Sequence, residues 1–134
     1  MIITLTTAAL CGIIFFVLTM RVSQVRIKSK VSLGDGGDHA LLTRIRAHAN
    51  FAEFVPLCLI LMGLIETYAE RSAYLGALGL VLVLARIAHA IGMGMSSPNA
   101  LRVAGAAGTS VVLAVLSIWA LVISFNLHHV AFAG

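Results

Sequence analysis

The stretch 44-RIRAHANFAEFVPLCLILMGLIE-66 decides the fold. Arg46, Asn50 and Glu53 fall at i, i+4 and i+7, on one face of one helix. From Phe54 to Ile65 no charge follows. Such a run is apolar enough for lipid yet polar at its mouth. Ionisable groups close to a bilayer core are expensive, and they face a partner, a cavity or a ligand rather than lipid. The segment thus marks a membrane helix and the place on it where chemistry is expected.

Outward from this run, three more apolar blocks appear, so that 2–20, 47–65, 74–95 and 103–125 form a set of four. Each is about 19 to 23 residues, enough to cross ~30 Å of hydrocarbon at ~1.5 Å per residue. The 134 residues are 60% hydrophobic and 10% charged, with a mean hydropathy of +1.06, whereas a soluble domain carries about 25% charged residues. The expectation is an all-α membrane protein: a four-transmembrane-helix bundle in one domain, 1–134, with helices over about 2–22, 44–66, 72–95 and 102–125. The first block lacks a basic leader and an A-x-A site, and it is longer than the apolar stretch of a signal peptide. It reads as a retained helix.

Charge asymmetry sets the expected orientation. Arg21, Arg26, Lys28, Lys30, Arg44 and Arg46 lie between helices 1 and 2, and Arg102 lies between helices 3 and 4. The turn between helices 2 and 3 holds Glu66, Glu70 and Arg71, and the tail holds His128 and His129. The positive-inside rule places the 1–2 and 3–4 connections in the cytoplasm and both termini outside. The net charge of +4 suits anionic headgroups at that face, and no basic patch separate from the membrane edge suggests nucleic acid. Cys11 and Cys58 sit within apolar blocks without metal or disulfide spacing and read as buried small hydrophobes. The segment 33-LGDGGDH-39 is a turn signal with neither phosphate-loop nor calcium-loop spacing. Gly105 and Gly108, beside 106-AAGTS-110, give helix 4 a small-residue face for close packing.

Helix 3 runs against helix 2, so Arg86 and His89, three residues apart, share a face toward its cytoplasmic end. With Arg102 they bring Arg46, Asn50, Glu53, Arg86, His89 and Arg102 to one level, a cationic, donor-rich cup for an anionic, polar ligand. The competing reading is structural. Glu53 paired with Arg46 or Arg86 would neutralise a buried charge, Arg102 would snorkel to headgroups, and His89 would be an interhelical hydrogen bonder. One Glu cannot satisfy three Arg, however, and that surplus calls for a further anion. No metal site is expected, because His48 and His89 lack ligand-spaced companions.

The run RAHANFAEFVP, 46–56, resembles the R-A-x-x-N-x-x-E-x-x-P signature of the MAPEG superfamily, the membrane-associated proteins in eicosanoid and glutathione metabolism. RIAH, 86–89, and Arg102 are similar to that superfamily's helix 3 and the start of its helix 4, and the G-D-G-G loop resembles its short bacterial branch. The resemblance covers essentially the whole chain. It implies a homotrimer in a bacterial inner membrane, with glutathione as co-substrate between neighbouring subunits at the cytoplasmic side. Arg46, Asn50, Glu53 and His89 match positions that contact the tripeptide. His48 matches one that reaches it from the neighbouring subunit, and Arg21 or Arg26 matches a carboxylate binder. Arg102 matches the proposed thiolate stabiliser, a role consistent with the preference of a nearby guanidinium for thiolate over thiol.

Departures from the eicosanoid enzymes are also visible. Met93 stands where they carry a tyrosine, Phe54 where leukotriene C synthase has one, and Val103 and Ala106 replace aromatic or hydroxyl residues. These argue against specialised prostaglandin or leukotriene synthesis. Two functions remain: a glutathione transferase or peroxidase acting on hydrophobic electrophiles or lipid hydroperoxides, or a non-catalytic scaffold binding lipid or a partner, as the 5-lipoxygenase-activating protein does. Arg102 favours the enzyme.

Overall fold

The computed structural model describes residues 1–69, 72–96 and 99–132, with side chains through His128. Glu70 and Arg71, the side chain of His129, and the terminal Gly134 lie outside the described residues. Among the described residues four helices follow one another: α1 (Ile2–Ser29), α2 (His39–Ala69), α3 (Ala73–Gly92) and α4 (Ala100–Phe132). All four are long and apolar enough to cross a membrane. Their order in space is up-down-up-down. Ile3 meets Glu66 and Thr19 meets His48, so α1 and α2 are antiparallel. Ala85 faces Gly108 and His89 faces Gly105, so α3 and α4 are antiparallel as well.

Three helices overrun the expected bounds. Helix 1 continues from 22 to Ser29 because VSQVRIKS, 22–29, contains no glycine or proline. Arg21, Arg26 and Lys28 are therefore helical residues, not loop residues. Lys30 closes the helix in the left-handed region, at φ 54°, where its N–H and that of Val31 satisfy terminal carbonyls of Ile27 and Arg26. Helix 2 starts at His39 rather than 44, because Asp38 caps it: its Oδ1 accepts from the N–H groups of Ala40 (2.8 Å) and Leu41 (3.2 Å). Helix 4 runs on to Phe132. Helix 3 is shorter than expected and ends at Gly92.

The connection between α1 and α2 is a built turn. Gly34, Gly36 and Gly37 all take positive φ. Arg26 reaches back to donate from Nη1 to the Gly34 carbonyl at 2.8 Å, and the Ser29 hydroxyl donates to Asp38 Oδ2. The loop folds onto its own helix ends.

Cys11, Leu18, Phe51, Val55, Met62, Leu82, Val112 and Leu116 fill the interior. Both cysteines are buried and unpaired, as expected of small hydrophobes. The outer surface is also apolar, with Ile13, Phe16, Ile60, Leu64, Leu84, Ile118 and Leu121 exposed. A protein apolar inside and out matches a lipid surround rather than water.

Glu66 corrects the sequence reading of the 2–3 turn. It lies inside α2, and its side chain is only 3% exposed. Its carboxylate accepts from the N–H groups of Ile3 (2.9 Å) and Thr4 (2.8 Å) and sits 3.5 Å from the Met1 amino group. It thereby satisfies orphan donors at the start of α1 across the helix–helix interface.

Candidate functional site

The centre of the site is a buried arginine. Arg86 is 1% exposed. Its Nη1 donates to Asn50 Oδ1 at 3.0 Å and to Thr109 Oγ1 at 3.4 Å. Its guanidinium carbon lies 5.1 Å from the centroid of the Phe51 ring, within cation–π range. Helices α2 and α4 thus surround the cation carried by α3 with an amide, a ring face and a hydroxyl, but no carboxylate. Thr109 in turn donates to the Gly105 carbonyl at 2.9 Å, so its oxygen is turned toward Arg86. Two polar atoms here are buried without a hydrogen-bond partner: Arg86 Nε and His89 Nδ1. They occupy the same face of α3, one turn apart.

Asn50 is the one member of the α2 triad that points inward. Arg46 and Glu53 flank it on the exposed side of the helix. Neither forms an ion pair or hydrogen bond with another described residue, so the expected packing pair of Glu53 with Arg46 or Arg86 is not formed within the chain. Seven residues separate Arg46 from Glu53, about 10 Å along the axis, too far for their side chains to meet readily.

The α3–α4 register is fixed by glycines. A Cβ on Gly105 would stand 2.5 Å from the His89 backbone nitrogen and 2.6 Å from the Ala85 carbonyl oxygen. One on Gly92 would run into the Arg102 backbone nitrogen. Only glycine admits such backbone approach. The small-residue face of helix 4 read from the sequence therefore packs on α3, with Arg102 opposite Gly92 and Thr109 beside Arg86. Arg102 is exposed in the first turn of α4.

The expected cup is stretched rather than level. From Arg102, opposite Gly92, to Arg86 is six residues along α3, and Glu53 lies three residues beyond Asn50. This spreads the polar groups over roughly 13 Å along the bundle axis. Other expected site residues go elsewhere in the chain. His48 faces α1, with its Nε2 3.2 Å from Thr19 Oγ1 and its ring stacked on Phe15 at 4.5 Å. Arg21 is half-buried and lines a narrow crevice with Thr43, Arg44 and Met93. Arg26 is engaged with loop carbonyls.

Sequence reasoning missed Thr109 and Asn99. Thr109 was visible only as part of a small-residue face, because a hydroxyl in a membrane helix ordinarily bonds its own i−4 carbonyl. Asn99 precedes α4, and its Oδ1 accepts the Arg102 N–H at 2.9 Å.

A family model, the MAPEG family, matches residues 4–122. Two curated relatives are similar over 85 residues at 29% identity, both called inner membrane protein YecN, from Escherichia coli strain K12 and Escherichia coli O6:H1 strain CFT073. The match covers 63% of this chain and 65% of each relative, so it spans just under two thirds of their length. The family match takes in the whole helix-2 signature, the Arg86–His89 pair, all of α2 and α3, nearly all of α1 and most of α4. Four apolar helices of spanning length, the polar run 46–56 and the extent of that match assign this integral membrane protein to the MAPEG family.

Proposed function

We propose that the chain is a membrane glutathione transferase or peroxidase that works as a homotrimer in a bacterial inner membrane. Its site faces the cytoplasm, and both termini lie on the other side. The observation that carries this reading is the unpaired charge on α2. Arg46 and Glu53 stand exposed on either side of Asn50, on a helix long and apolar enough to cross a membrane, where unpaired charge is costly. Glutathione offers the missing counter-charges: one ammonium for Glu53 and two carboxylates for arginine forks. An extended tripeptide is on the order of 10 Å long, comparable with the spread of the polar groups. The unused donor of Arg86 and the unused nitrogen of His89 add capacity for a polar ligand.

Asn50 is already held by Arg86 and presents its amide nitrogen, so Arg86 acts chiefly by fixing Asn50. His48 faces α1 and serves a site shared with the adjacent subunit. Arg21 is the better carboxylate binder of the two on helix 1, because Arg26 is occupied by the loop. Arg102 favours the thiolate electrostatically. In conjugation the thiol proton passes to water, the sulfur lone pair forms the C–S bond, and the leaving group departs with its electrons. With a lipid hydroperoxide, sulfur takes the outer oxygen and the O–O bond breaks. The alkoxide gains a proton, and a second glutathione converts the sulfenic acid to disulfide and water. Hydrophobic substrates arrive through the lipid. Exposed Lys28 and Lys30 contact anionic headgroups.

The test is glutathione titration of the purified protein in mild detergent, with thiolate absorbance and conjugation of a panel of hydrophobic electrophiles and hydroperoxides. Glu53→Gln is expected to weaken binding in a protein of unchanged mass. Arg102→Leu is expected to remove most turnover at neutral pH, with recovery at higher pH. A wild type that neither binds glutathione nor turns over any of these substrates would instead support the scaffold reading.

A further inference from the structure

The α3–α4 junction contains one side chain with two separate attachments. Asn99 Oδ1 accepts the Arg102 N–H at 2.9 Å, a conventional N-cap of α4. Its Nδ2 donates to the Gly92 carbonyl at 2.8 Å and to the Ser96 carbonyl at 3.1 Å. Gly92 is the last residue of α3, and its carbonyl, without a partner inside the helix, also accepts the Met95 N–H at 3.2 Å. One amide therefore joins the start of one helix to the end of another. At the same point a Cβ on Gly92 would lie 2.8 Å from the Arg102 Cα and 2.8 Å from Asn99 Oδ1. The backbone of Arg102 is seated directly on the last turn of α3.

We infer that Asn99 is a positioning residue for Arg102: by bolting the first turn of α4 to Gly92 it sets how near the Arg102 guanidinium comes to the sulfur of bound glutathione. The inference rests on the glutathione reading above. A cap alone would need only an oxygen acceptor, which Ser, Thr or Asp supplies equally well. The bond to Gly92 requires a donor on the same side chain, and an amide has both. The reach of the guanidinium is counted from its backbone, so where that backbone is fixed bounds how close its charge can come to a given atom. Coulomb attraction falls as 1/r, and a retreat from ~4 to ~6 Å forfeits about a third of it. Bound thiol would then ionise less readily, while contacts made by α2 would hold the tripeptide as before.

The experiment uses the full-length protein in detergent with glutathione itself. Asn99→Ser keeps an oxygen for the Arg102 N–H but is too short to donate to Gly92. It is expected to move the pH of half-maximal thiolate absorbance upward by up to about one unit, a tenfold smaller ionisation constant for the bound thiol. Glutathione affinity should stay within about threefold of wild type. Asn99→Asp, nearly isosteric and also a cap, is the second variant. It loses the donor and places a negative charge near the sulfur, so its midpoint should move the same way and further. A purely structural Asn99 would lower the unfolding midpoint and leave the thiolate midpoint in place, which overturns the inference while the glutathione reading stands. Wild type that fails to bind glutathione, or binds it without ionising it, overturns both.

Discussion

Replacing Glu66 with Gln probes how the bundle closes at the end opposite the site. The carboxylate takes two backbone N–H bonds, from Ile3 at 2.9 Å and Thr4 at 2.8 Å, and is 3% exposed. Glutamine retains one acceptor oxygen and turns an NH2 toward the other N–H. One charge-assisted bond is lost, about 1.5–3 kcal/mol. Removing negative charge from the first turn of α1 costs roughly another 0.3–1 kcal/mol. The 3.5 Å contact with the Met1 amino group adds little, because Met1 is 59% exposed and solvent screens it. The expected loss is about 2–4 kcal/mol, read as the shift in equilibrium unfolding in mixed detergent micelles. Hydrogen exchange should quicken first at Ile3 and Thr4. A Glu66→Gln protein within about 0.5 kcal/mol of wild type, with those amides equally protected, would refute the idea that this cap ties α1 to α2.

Other outcomes follow from the same geometry. Asn50→Leu removes the nearer acceptor of the buried Arg86 and should destabilise by about 2–4 kcal/mol in the same unfolding assay; adding Arg86→Met should recover part of the loss. Gly105→Val places a side chain against His89 and Ala85 backbone and is expected to prevent α3–α4 docking, seen as aggregation on extraction, whereas Gly12→Ala, with open space around it, should behave as wild type. In the loop, the hydrogen bond from Ser29 foremost, then that from the Leu41 N–H, holds the Asp38 carboxyl below the usual carboxylate range. Its stabilisation of the α2 cap is therefore complete above pH ~4 and is lost as pH falls through the lowered value. Exchange of the Leu41 amide against pH should show this, and Ser29→Ala should bring the loss to a higher pH.

The site was partly legible. The 3.6-residue period alone put Arg46, Asn50 and Glu53 on one side of α2, and Arg86 and His89 on one side of α3. The period does not say how a helix is turned about its axis within the bundle. In a soluble protein the apolar stripe would say so, but here the lipid side and the core side are equally apolar and packing decides. Only the folded chain turned Asn50 inward to Arg86 and left Glu53 and Arg46 outside.

The amino-acid sequence by itself determined four spanning helices, because backbone groups in hydrocarbon must be bonded within their own segment and length then sets the span. It also determined the family-like polar run on α2. The tertiary structure alone decided the partners: Thr109 for Arg86, Glu66 for the start of α1, and Asn99 for the joint between α3 and α4. Each rests on polar contacts between residues on different helices or across a helix junction. Its geometry depends on rotation and register set by close glycine packing, which helical spacing within one segment does not encode.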